Sequence, residues 1–203
     1  VISLYTAGEF SKAIHLAQSL NKDYPNVPLL YNILGVCYKS LGQLETAVRM
    51  FQVALNIKGD YSEAHKNLGI TQKDLGQLDF AITSLKKAIS LNPEYIDAHY
   101  NLAVVYTDLG QLNDALKCYK KVLTINPGFT EAHNNLANIL NNLGRFEDAL
   151  DSYLNAVNLN PNSAEIYNNI ANTFKDIGQL DKAVENYNKA LKLNPDFAEA
   201  YYH

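Results

Sequence analysis

Glycine recurs along this chain at a fixed step, with Gly8, Gly42, Gly76, Gly110, Gly144 and Gly178 each 34 residues apart. Pro93, Pro127, Pro161 and Pro195 keep the same step with Pro25 in phase, and so do Ala13, Ala47, Ala81, Ala115, Ala149 and Ala183. Three residue types locked in one register define an array of repeats, in which each unit is one supersecondary motif. With the ladder glycine taken as position 15, the chain divides into a partial repeat 1–27, full repeats 28–61, 62–95, 96–129, 130–163 and 164–197, and a partial repeat 198–203. No Gly/Ser-rich linker interrupts the series, so a single array over 1–203 is expected.

Each repeat reads as two helices. In repeat 96–129, Leu102, Val105, Tyr106 and Leu109 fall at helical spacing, and Gly110 follows as a helix-ending residue. A second helix opens near Asn113 and carries Ala115, Leu116, Tyr119, Val122 and Leu123 on its apolar face. Position 18 is Ser11, Glu45, Asp79, Asn113, Glu147 or Asp181, residues suited to capping a helix start or complementing its dipole. The Asn-Pro pairs end the second helices, because a residue before proline is pushed out of the α region. A lone helical hairpin buries too little apolar surface to stand by itself, so neighbouring repeats must pack in series.

Composition narrows the function. The chain is 47% hydrophobic and 19% charged, with 17 basic against 21 acidic side chains, a net charge of −4. That balance argues against a nucleic-acid footprint and against a polybasic membrane patch. No apolar run approaches the length that spans a bilayer, no leader-like segment follows Val1, and no Asn-x-Ser/Thr acceptor occurs, so a cytoplasmic location is expected. Cys37 and Cys118 are expected to be packing residues rather than a redox pair.

The repeat resembles the tetratricopeptide repeat family, whose period is also 34. Repeat 28–61 carries the pattern as Tyr31, Leu34, Gly35, Tyr38, Ala47 and Phe51. Leu68, Leu102, Leu136 and Ile170 keep the leucine slot. Gly69, Ala103, Ala137 and Ala171 keep the small slot, and Leu85, Tyr119, Tyr153 and Tyr187 keep the aromatic one. Departures are few: the tryptophan slot never holds Trp, Gln72 replaces an aromatic, and Gly59 replaces a proline. The resemblance implies an all-α, right-handed superhelical solenoid of helix-turn-helix repeats. First helices would line a concave groove there, and the function would be protein or peptide binding. The chain starts and stops inside first helices, so a segment of a longer array is expected, self-associating through its exposed ends, with the apolar face of the last second helix only partly covered by Ala198–His203.

No nucleophile elbow, phosphate-binding glycine loop or zinc spacing is present, and neither catalysis nor a cofactor is expected. His65, His99 and His133 also recur at the 34-residue step, all at position 4. Repeats packed roughly 8–10 Å apart cannot easily bring three imidazoles onto one metal at about 2 Å, so packing and hydrogen bonding are expected instead.

Asparagine is the anomaly. There are 24, although Asn is a poor helix former. Asn67, Asn101, Asn135 and Asn169 occupy position 6; Asn32, Asn134 and Asn168 add position 5; Asn138 and Asn172 add position 9. In the family register positions 2, 5, 6, 9, 12 and 13 face the groove, so repeat 130–163 presents Glu131, Asn134, Asn135, Asn138, Asn141 and Asn142 there. An amide both donates and accepts, so a row of them suits the backbone of an extended peptide. This is similar to the asparagine ladder in the repeats of O-linked N-acetylglucosamine transferases, which the Asn-Leu-Ala-Asn string at 135–138 resembles. The alternative is that position-6 asparagines tie neighbouring first helices together. Tyr100, Asp97 and Glu131 are expected to flank the ladder.

The family's carboxylate clamp does not fit. Position 2 holds Leu29, Glu63, Asp97, Glu131 or Glu165, and Lys66, the only base at position 5, is matched by Ile70 at position 9. An RNA-reading array fails as well, since Lys39, Lys66, Lys73 and Lys175 are the only groove bases. Besides a binding module, two roles remain open: a scaffold that assembles through its own ends or sides, and the substrate-presenting arm of a larger glycosyltransferase or sulfotransferase.

Overall fold

The computed structural model describes residues 1–196 and forms two compact units, Val1–Val105 and Tyr106–His203. The expected cover by Ala198–His203 lies outside the described residues. Among the described residues every regular element is a helix: α1 Ile2–Thr6, α2 Phe10–Asp23, α3 Pro28–Ser40, α4 Leu44–Ile57, α5 Ser62–Asp74, α6 Leu78–Leu91, α7 Ile96–Asp108, α8 Leu112–Ile125, α9 Thr130–Asn142, α10 Phe146–Leu159, α11 Ala164–Asp176 and α12 Leu180–Leu193. None is long and apolar enough to cross a membrane.

The ladder glycine closes each first helix in the same way. After α3, Gly42 takes φ of 75°, its N–H reaches the Lys39 carbonyl at 2.9 Å, and the Gln43 N–H reaches the Tyr38 carbonyl at 2.9 Å. Two orphan carbonyls are thus satisfied by one left-handed residue. The next helix starts at once. Gln43, Gln77, Gln111, Arg145 and Gln179 are its N-caps, and none caps with its side chain. The position-18 acids Glu45, Asp79, Glu147 and Asp181 therefore sit inside the first turn, where they complement the helix dipole and do not cap it. At the other end Asn126 leaves the helix in an extended conformation, and its side chain accepts from the Gly128 N–H at 3.0 Å.

Packing follows the apolar stripes. In the first unit α3 packs on α4 and α5 on α6, and second helices also touch the next first helix, α2 on α3 and α4 on α5. Ala47, Phe51 and Leu68 form one core there, joined by Val36, Tyr38, Val48 and Leu55. Cys37 is buried with Ala13 and Ile33, and burial raises its thiol pKa. In the second unit α9–α10 and α11–α12 are the hairpins, with α8 on α9 and α10 on α11. Ala171, Ala183, Tyr187 and Ala190 form its terminal core.

The recurring histidines share one kind of hydrogen bond. The Nε2 atoms of His65, His99 and His133 hydrogen bond the carbonyls of Gly59, Pro93 and Pro127 at 3.0, 2.9 and 2.9 Å. Each ring ties its helix to the turn just before it. No cluster of potential metal ligands forms among the described residues.

Candidate functional site

Position-5, position-6 and position-2 side chains of successive first helices meet. In the first unit the Asn67 amide donates to Asn32 Oδ1 at 3.0 Å, and Asn32 Nδ2 donates to the Tyr61 hydroxyl at 3.3 Å. Lys66 Nζ lies 3.8 Å from the Asp97 carboxylate and 5.5 Å from the centre of the Tyr95 ring. Burial, reinforced by Glu63 and Asp97, pushes that tyrosine's pKa up to about 12. Lys39 pairs with Asp74 at 3.0 Å. Asn101 donates to the Asp97 carbonyl of its own helix at 2.8 Å, and Tyr100 beside it is half-buried. This face is largely tied up by contacts between repeats.

The second unit repeats the ties with amides. Asn169 Nδ2 donates to Asn134 Oδ1 at 3.2 Å, and Asn134 Nδ2 donates to Glu165 Oε1 at 3.2 Å. Asn67 and Asn169 thus serve as links between first helices through their NH2 groups, the second of the two roles open to position 6. Asn168 is buried at the equivalent of Asn134, and its Oδ1 has no partner among the described residues. Asn135 is half-buried on α9.

Position 9 behaves differently. The Tyr153 hydroxyl donates to Asn138 Oδ1, and the Tyr187 hydroxyl donates to Asn172 Oδ1 at 2.6 Å. Burial raises both tyrosine pKa values, so the phenols remain protonated donors at neutral pH. A donor fixed on the amide oxygen fixes the amide flip, which leaves the Nδ2 groups of Asn138 and Asn172 uncommitted among the described residues. Asn169, whose NH2 is spent on Asn134, keeps an Oδ1 that is uncommitted among the described residues. Asn141 Nδ2 donates to Asp176 at 3.2 Å, while its own Oδ1 is buried without a partner among the described residues.

These groups share one pocket. Asn138, Asn141, Asn142, Tyr153, Asn169 and Asn172 line a cavity of about 360 Å³. The lining thus includes residues with amide groups of both polarities, the Nδ2 groups of Asn138 and Asn172 and the Oδ1 of Asn169, which is the inventory a peptide backbone needs. The structure brings Asn138, Asn169 and Asn172 to one cavity, whereas Asn134, bonded to Asn169, and Asn135 and Asn168 are not among its lining residues. Asn67, Asn101 and Tyr100 lie in the first unit and do not line this pocket.

Sequence reasoning missed the role of the tyrosines. The signal was present: Phe51 and Leu85 in the aromatic slot accompany apolar Val36 and Ile70 at position 9, whereas Tyr153 and Tyr187 accompany Asn138 and Asn172. Tyr119 with Val104 departs from the pairing, which obscures it.

Paired helices closed by a left-handed glycine every 34 residues, stacked first helix on second, define an all-α helical-repeat solenoid protein. Profiles of the tetratricopeptide repeat match residues 96–129 and 164–197, with related TPR-repeat profiles at 29–61, 72–110, 118–151 and 137–178. The chain belongs to the tetratricopeptide repeat family, a family of protein-interaction modules. Its fold is similar to that of YrrB, described as a TPR protein with an unusual peptide-binding site, at 22% identity and a TM-score of 0.79, covering 92% of this chain and 96% of that one. It is also similar to MamA of Desulfovibrio magneticus at 20% identity and a TM-score of 0.79, covering 84% and 96%. A thermophilic TPR protein of Thermus thermophilus is 26% identical with a TM-score of 0.64, covering 86% and 95%. No curated protein matches the sequence significantly.

Proposed function

We propose that the chain is a non-catalytic peptide-binding module whose second unit holds an extended segment of a protein partner against first-helix amides. One observation carries this reading: the cavity of about 360 Å³ is lined almost wholly by asparagines whose uncommitted atoms are of both polarities. Asn138 and Asn172 offer N–H donors to peptide carbonyls, and Asn169 offers its oxygen to a peptide N–H group. The peptide-binding description of YrrB supports the same reading.

The magnitudes make the site a weak, sequence-tolerant clamp. A net hydrogen bond contributes roughly 0.5–1.5 kcal/mol, so three give about 1.5–4.5 kcal/mol before the ligand's ordering entropy. Millimolar affinity needs about 4 kcal/mol. Selectivity must then come from residues around the amides.

The test replaces both members of each tyrosine–asparagine pair with the pair found in repeat 28–61, Phe51 and Val36. Asn138→Val with Tyr153→Phe, and Asn172→Val with Tyr187→Phe, should leave thermal stability nearly unchanged, because no buried polar group is orphaned. Binding of a capped Gly-Ser repeat peptide, followed by NMR shifts on the remaining asparagine amides, should fall below detection. Undiminished binding by the four-fold variant would sink the reading.

A further inference from the structure

A second groove lies elsewhere in the same unit. Between α10 and α12, over α11, a cavity of about 650 Å³ is lined by Leu150, Leu154 and Val157 of α10 and by Ile170, Phe174 and Ile177 of α11. Both sets run i, i+4, i+7, so each is a ridge along its helix. Leu154 is 54% exposed there. Repeat 164–197 also departs from the three repeats before it at the groove floor, because Tyr167 stands where they place the turn-binding histidines His65, His99 and His133.

The walls carry opposite charge. Glu147 and Asp151, one helical turn apart on α10, enter no ion pair among the described residues. Across the groove, Lys182 and Lys189 of α12 hold their ammonium groups 5.3 and 5.9 Å from the ring centres of Phe174 and Tyr167. Lys189 also pairs with Glu185 at 2.7 Å, an exposed contact. The lysine ammonium groups thus lie beside the aromatic floor, within reach of a carboxylate brought to that edge.

We propose that this groove is a docking site for an amphipathic helix of a partner protein, with a carboxylate-bearing edge against α12 and a basic edge against α10. A helix fits where an extended strand does not. The walls are helices whose backbone groups are already bonded, and the floor is apolar, so a strand would leave its peptide groups unmet. A helix satisfies its own backbone and sets an i, i+3, i+4, i+7 stripe between the two ridges. The walls are helices of 14 residues, which sets the matching length of the occupant.

The probe is a capped, dye-labelled peptide of about that length, with a leucine stripe, glutamates along one edge and lysines along the other. Fluorescence anisotropy on the full chain should show saturable binding, with peptide helicity rising on complex formation. Lys182→Glu with Lys189→Glu should weaken it on the order of tenfold, and a peptide with lysines on both edges should recover binding to that variant. Leu154→Asp should abolish binding while the melting temperature is kept, since all three positions are exposed. No binding of the probe, or equal binding to the charge-reversed variant, overturns the proposal. So does a peptide-free dimer that Leu154→Asp dissolves in sedimentation, which would make a second copy the occupant.

Discussion

At the scale of single residues, the second unit separates amides that hold the protein together from amides that are available to a ligand. Asn169 is of the first kind through its NH2, so Asn169→Ala leaves Asn134 Oδ1 without its donor and should cost about 1–3 kcal/mol in urea unfolding. Helix propensity alone points the other way, to position-6 alanines that keep or raise helicity, because Ala is the better helix former. The tie between helices outweighs that preference at Asn67 and Asn169. The tyrosine donors hold above neutrality, since burial raises both pKa values. Binding of the Gly-Ser peptide should therefore be flat from about pH 6 to about pH 9, and a fall across that interval would mean the phenols are not what orients the amides. Gly35 makes a separate point. A Cβ there would lie 2.5 Å from the ring of Phe51, which is fully buried and cannot retreat, so Gly35→Ala should cost on the order of 1–3 kcal/mol.

At the scale of elements, helix ends and helix crossings give predictions of different size. Gly144 has φ of 70° and nothing within 4 Å of where a Cβ would stand. Gly144→Ala thus carries backbone strain alone, about 1–2 kcal/mol by thermal melting. Ala115 is completely buried, and Ala115→Leu overpacks the α8 face by about 1–3 kcal/mol. An unchanged melting temperature for the leucine variant would mean the helix register is misread. The Gly, Ala and Pro ladders made these elements legible, because each marks a position where backbone geometry or close packing tolerates few residues. The position-18 acids were legible only as helix-start residues. Capping and dipole roles draw on the same residue types, and the glycine turn sets the start two residues earlier. The candidate site was half legible. Periodicity placed Asn134, Asn138, Asn168, Asn169 and Asn172 on first helices. It could not say which amide atoms face a neighbour, since that depends on how position 6 of one helix meets position 5 of another. The pairing of Tyr153 with Asn138 was hidden for the same reason: it links two helices across a turn.

At the scale of the whole molecule, the two units use one fold with different groove chemistry. The first spends its position-5 and position-12 side chains on Lys66–Asp97 and Lys39–Asp74 ion pairs, whereas the second places asparagines around an open cavity. Helical repeats allow such divergence because groove positions contribute little to the stacking core. The central claim is that fixed amides of the second unit clamp a peptide backbone, and the direct measurement is an NMR titration of the intact chain with the capped Gly-Ser peptide. The side-chain amide signals of Asn138 and Asn172 should shift together, saturating with a dissociation constant in the millimolar range or weaker, while that of Asn101 moves little. Unmoved Asn138 and Asn172 signals at saturating peptide, or shifts confined to the first unit, would contradict it.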